Sequence, residues 1–89
     1  MEHLRKKIDT IDTQIVGLVA KRQSCVLRIG EYKKENGVPV FQPKRERAII
    51  KSKKVLAKKF GLKPSLVEKI FKLIIANSRE IQKKTPPKF

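Results

Sequence analysis

Residues 4–33 read LRKKIDTIDTQIVGLVAKRQSCVLRIGEYK. The apolar positions Leu4, Ile8, Ile11, Ile15, Leu18, Cys25, Ile29 and Tyr32 follow one another by alternating steps of four and three. That period marks one helix laid along another. A single charge, Arg22, interrupts the stripe. Gly37 after Asn36 is a helix stop, and Val38 before Pro39 is held extended. The spacing predicts a helix of about 30 residues, roughly 45 Å long at 1.5 Å per residue. A chain of 89 residues cannot cover such a rod alone, because a domain this small buries only about 60% of its unfolded surface. The rod needs a partner.

Two shorter helices follow. Pro43 suits the first turn of a second helix running to about Phe60, with Ile49, Ile50, Leu56 and Phe60 inward and Gly61 as its stop. Pro64 opens a third helix to about Gln82, with Val67, Phe71, Ile74, Ser78 and Ile81 on one stripe. Residues 38–41 are too short, and carry a proline, to make a strand. The expected fold is all-α: three helices per chain, one long and two medium, with the long one shared with a partner. Residues 1–82 form the domain, and residues 83–89, with Lys83, Lys84 and Lys88, read as a flexible basic tail.

Twenty-three Lys and Arg against eight Asp and Glu give a formal net charge of +15. Such a balance attracts something anionic: nucleic acid, an acidic membrane or a small polycarboxylate. Cys25, the single cysteine, excludes an intrachain disulfide; its place on the stripe makes it a small core residue. The sequence has no secretory n-region with an h-region, and no apolar run near membrane-spanning length. A cytoplasmic protein is the expectation.

Polar residues that break apolar stripes carry the functional signal, since an unpaired buried charge costs several kcal/mol. Arg22 is either a register-setting residue paired with a carboxylate or an anion-binding guanidinium facing a cavity. Lys33 lies eleven residues on, three turns along nearly the same face. On the third helix Ser78 sits within the stripe, and Gln82 is one turn further. Arg45 and Glu46 occupy the first turn of the second helix, where a carboxylate also suits the helix dipole. Each residue has a plain structural reading: a surface lysine, close packing, a favourable terminal charge. Together they supply cations, one carboxylate, one amide and one hydroxyl on three separate faces. That set can hold a small, multiply charged ligand bearing a hydroxyl and an ether or carbonyl oxygen.

The parts of covalent or metal chemistry are missing. His3, the only histidine, is near the start, and Asp9 and Asp12 have no histidine partner for a metal. The sequence holds no phosphate-cradling glycine loop and no Ser–His–Asp set. If the chain is an enzyme, it works by positioning and electrostatics. Arg5 adds a geometric constraint. It lies 28 residues before Lys33 on the same heptad column, about 42 Å away along one helix. One chain cannot bring both to a small ligand, whereas an antiparallel second copy can.

The runs Leu4-Arg5-Lys6-Lys7-Ile8-Asp9, Ile11-Asp12, Ala20-Lys21-Arg22, Ile29-Gly30-Glu31-Tyr32-Lys33, Pro43-Lys44-Arg45-Glu46-Arg47, and Phe71 to Ser78 with Gln82, resemble the all-helical chorismate mutases. The likeness covers residues 4–82. It implies a dimer of interlocked three-helix chains with two shared sites, converting chorismate to prephenate without a cofactor. It implies that Arg22 and Arg5 of the partner chain clamp the two carboxylates, and that Lys33 and Gln82 donate to the ether oxygen. Glu46 would hold the ring hydroxyl, and Arg45 and Ser78 would complete the carboxylate side. Gln42 departs from the pattern, since family members often carry Asp there near the hydroxyl; a backbone contact would leave the change harmless.

Two other functions compete. Isochorismate-pyruvate lyase, a sister activity on the same fold, would share the arginine clamp, Lys33 and Gln82, but does not ask for the carboxylate of Glu46. A basic helical dimer binding nucleic acid would use Lys51, Lys53, Lys54, Lys58 and Lys59. Against it, no aromatic residues interleave with the lysines for stacking. No short recognition helix follows a tight turn either.

Overall fold

The structure, a computed structural model, describes residues 1–85. It consists of three helices, α1 (Glu2–Glu35), α2 (Pro43–Lys59) and α3 (Pro64–Lys84). Local chemistry sets their ends. Pro43 and Pro64 each occupy the first turn, where the missing N–H is no loss. Gly37 and Gly61 follow the C-caps at φ +63° and +71°, a backbone region that favours glycine. Past each glycine the chain turns back on its helix: Val38 N–H donates to Lys33 O at 2.8 Å, and Leu62 N–H to Ala57 O at 2.9 Å. These are Schellman closures, each with an apolar residue just beyond the glycine.

α3 packs on both other helices, whereas α1 and α2 do not meet. The molecule extends 53 Å along its longest axis, close to the length of a 34-residue α1. Only the last part of α1 has its own chain to lean on. Val26 and Gly30 are its buried residues, and every residue from 1 to 21 is exposed. The stripe that defined this helix is therefore open: Leu4, Ile8, Ile11 and Ile15 are each about half exposed, and Leu18 is 63% exposed. Cys25, expected in a core, is exposed as well. Leu56 and Phe60, expected inward on α2, face outward. The apolar core within the chain is Val26, Ala57, Val67 and Ile75. No helix among the described residues is long and apolar enough to cross a membrane.

Lys83 and Lys84 belong to the last turn of α3, and Thr85 is buried, 3% exposed, with its hydroxyl donating to Ile81 O at 2.7 Å. Thr85 packs against α1 at Gly30. Residues 86–89 of the expected tail lie outside the described residues.

Gly30 sets the spacing between α1 and α3. A Cβ built there would lie 3.1 Å from Thr85 Oγ1 and 3.2 Å from Gln82 Cα. Gly30→Val is expected to force the helices apart at an overpacking cost of about 1–3 kcal/mol, read as a lower Tm in thermal unfolding. An unchanged Tm would show that this contact is loose.

Candidate active site

The close approach at Gly30 brings the polar residues of three helices around one cavity of about 170 Å³. α1 contributes Arg22 and Lys33, α3 contributes Ser78 and Gln82, and Arg45 and Glu46 come from the first turn of α2. Gln42, the N-cap of α2, also lines it, and its carbonyl accepts the Glu46 N–H at 3.0 Å. Val26, Ile29, Ile49 and Ile75 form apolar wall. Of the residues singled out in the sequence, only Arg5 is elsewhere. It lies in the first turn of α1, highly exposed, paired with Glu2 at 3.6 Å.

Hydrogen bonds hold several of these side chains in place. The Arg22 guanidinium donates to the Ser78 hydroxyl, which donates in turn to Ile74 O at 2.8 Å. Among the described residues no ion pair involves Arg22. Within the described residues its partner is a hydroxyl rather than a carboxylate. Beside it, Gln23 donates to Asn77 Oδ1 at 3.0 Å, a second tie between α1 and α3. The Lys33 ammonium donates to Val40 O at 3.2 Å, across the turn that follows α1. Burial holds the Lys33 pKa below the ordinary lysine value, and the Glu46 carboxylate pulls the other way.

Gln82 is 7% exposed, and its side-chain oxygen is buried without a hydrogen-bond partner. A buried polar atom left unpaired costs about 1–3 kcal/mol, which makes this amide a candidate ligand contact. A half-turn of the amide presents its NH2 as donor in place of the oxygen.

One residue at the site escaped the sequence reading. Arg79 lines the cavity, with Nε 3.1 Å from Glu46 Oε2 and its guanidinium 5.3 Å from the centroid of the Phe41 ring. It stands one position off the stripe that holds Ser78, three residues before Gln82. That (i, i+3) adjacency was the available signal. Beyond the Glu46–Arg79 pair, a groove of about 990 Å³ runs along α2 and α3, with Phe41, Ile50 and Val55 as apolar floor and Lys54, Lys58 and Lys72 among its charged residues. This larger space lacks Arg22, Lys33 and Gln82, so the smaller cavity is the candidate site.

Known proteins supply the family. Residues 4–83 match the family described as chorismate mutase type II. A protein named chorismate mutase from Methanocaldococcus jannaschii is 34% identical over 83 residues, covering 93% of this chain and 84% of that protein. A bifunctional chorismate mutase/prephenate dehydratase of Buchnera aphidicola is 39% identical over 85 residues, and the T-protein of Haemophilus influenzae 31% over 78. The chain spans about a fifth of the length of those two, 22% and 21%. It belongs to the chorismate mutase type II family.

Proposed function

We propose that the chain is a cytoplasmic, homodimeric chorismate mutase that converts chorismate to prephenate, without a cofactor, in sites built from both chains. The strongest support is the gathering of Arg22, Lys33, Arg45, Glu46, Ser78 and Gln82 around one cavity in a chain of this family.

The chemistry explains the residue types. The rearrangement is unimolecular and pericyclic, breaking a C–O bond as a C–C bond forms, so it needs neither nucleophile nor base. The substrate has to fold into a chair-like conformer against the repulsion of its two carboxylates. Fixed cations at Arg22 and the partner's Arg5 favour that fold. Arg45 and Ser78 complete the carboxylate side, Ser78 by anchoring Arg22. Negative charge builds on the ether oxygen as the C–O bond breaks. Lys33 and the Gln82 amide, as donors there, bind the transition state more tightly than the ground state. Glu46 accepts from the ring hydroxyl, with Gln42 beside it through the N-terminus of α2.

Two observations support a second copy as the missing wall. The open stripe of α1 ends in Arg5, which its own chain holds far from the cavity. The neighbouring groove has an apolar floor and a lysine rim, matching the apolar stripe of α1 and its Asp9 and Asp12. The net charge of +15 then draws the dianionic substrate inward.

Glu46 favours this reading over isochorismate-pyruvate lyase. Nucleic-acid binding is not favoured, because the α2 lysines are partly engaged: Lys54 pairs with Glu68 at 3.7 Å, and Lys53 sits 5.8 Å from the Phe71 ring centroid. Purified protein added to chorismate is expected to give rapid, saturable loss of its ultraviolet absorbance, with prephenate as the product. A folded protein that fails to accelerate that loss discards the mutase reading, and isochorismate becomes the next substrate to test.

A further inference from the structure

The carboxylate proposed to hold the ring hydroxyl is not alone. Glu46 and Arg79 come from different helices, and both side chains are mostly covered, 21% and 35% exposed. The Arg79 Nε lies 3.1 Å from Glu46 Oε2, but its N–H is not aligned on the carboxylate and remains without an acceptor. The contact is therefore an ion pair rather than a good hydrogen bond. Phe41, next to the N-cap of α2, fixes the other side of the guanidinium by a cation–π contact at 5.3 Å. Arg79 is thus held between an aromatic ring and the carboxylate, and it borders the cavity.

We propose that Arg79 is a positioning and specificity residue: by neutralising Glu46 it fits the hydroxyl end of the cavity to an uncharged hydroxyl and against an ammonium group. This assignment rests on the mutase reading and deepens it. An unpaired Glu46 would accept a hydrogen bond from a hydroxyl, and would attract a cationic amine at the same ring position more strongly. A fixed guanidinium beside it changes the balance in two ways. It offsets the carboxylate's charge, and it repels an incoming ammonium. It also reduces the repulsion between Glu46 and a substrate that carries two carboxylates of its own. A charge at this range in a partly exposed site alters discrimination by about tenfold.

The test compares chorismate with its analogue carrying an amino group in place of the ring hydroxyl. Wild type, Arg79→Gln, Arg79→Leu and Arg79→Lys are measured as dimers of confirmed helicity. The readout is the ratio of the two kcat/KM values, or of chorismate KM to analogue KI where the analogue is not turned over. Loss of the charge in the Gln or Leu variant is expected to shift that ratio about tenfold toward the amine, and the Lys variant to restore most of the wild-type preference. A merely structural Arg79 would lower both substrates together and leave the ratio unmoved, which overturns the assignment alone. A wild-type chain inactive on chorismate removes the mutase reading and this assignment with it.

Discussion

Lys33→Ala is expected to lower kcat by about 10²–10³-fold, the loss typical of deleting one preorganised donor to a developing oxyanion, while circular dichroism and oligomeric state stay unchanged. Structure and chemistry separate cleanly at this residue. Among the described residues its one side-chain hydrogen bond runs to Val40 O at 3.2 Å, and such a bond contributes about 0.5–1.5 kcal/mol net. The turn it braces is closed independently by Val38 N–H on Lys33 O, a backbone bond that alanine keeps. The donor therefore costs little to remove from the fold and much from the transition state. Because the ether oxygen gains charge only as the bond breaks, the loss falls on kcat more than on KM.

The same residue sets a pH dependence with a definite sign. In the proposed mechanism the ammonium is the competent form, and burial lowers its pKa against the partial opposition of Glu46. A lowered pKa means the proton is lost earlier as pH rises, so activity declines at a pH below the ordinary lysine range. That alkaline limb should be absent from the residual rate of Lys33→Ala. Wild-type kcat in the variant would remove Lys33 from the site.

Much of this architecture is legible in the sequence because it is local. Gly37, Gly61, Pro43 and Pro64 punctuate the helices through the conformations and hydrogen bonds of their own few residues, and the observed ends fall within about two residues of the expected ones. Ser78 and Gln82 were visible as polar members of an apolar stripe, and both are buried. What depends on another segment was not legible. The 4–3 stripe of α1 reveals a seam but not which surface covers it, and residues 4–18 turn out to face away from their own chain. Cys25 is exposed for the same reason. Arg22 was recognisable as an exception, yet its choice of Ser78 over a carboxylate is decided by α3. Thr85 is buried against a glycine on α1, 55 positions earlier. Arg79 sits one position off the stripe, where a helical wheel alone reads it as solvated.

Mixing two inactive variants is expected to restore activity. Arg5→Ala and Arg22→Ala should each be nearly inactive, since in the proposed mechanism each would remove one of the cations holding the two substrate carboxylates in the reactive fold. In the proposed two-fold dimer each site would take Arg22 from one chain and Arg5 from the other. A mixed dimer then has one site with both arginines and one with neither. Equal amounts exchanged at random make half of the dimers mixed, so about a quarter of all sites become wild type by symmetry. Activity should climb from near background to about a quarter of the wild-type value at equal total protein. Its time course should follow chain exchange measured independently, for example by energy transfer between labelled chains. A monomeric site predicts no recovery at any mixing ratio, because each cavity would keep its own defect. The 42 Å or so between positions 5 and 33 along one helix makes the two outcomes mutually exclusive: a single rigid α1 cannot place both ends at one ligand. Confirmed exchange without recovery would leave Arg5 outside the site, and the α1 stripe would then need some other covering.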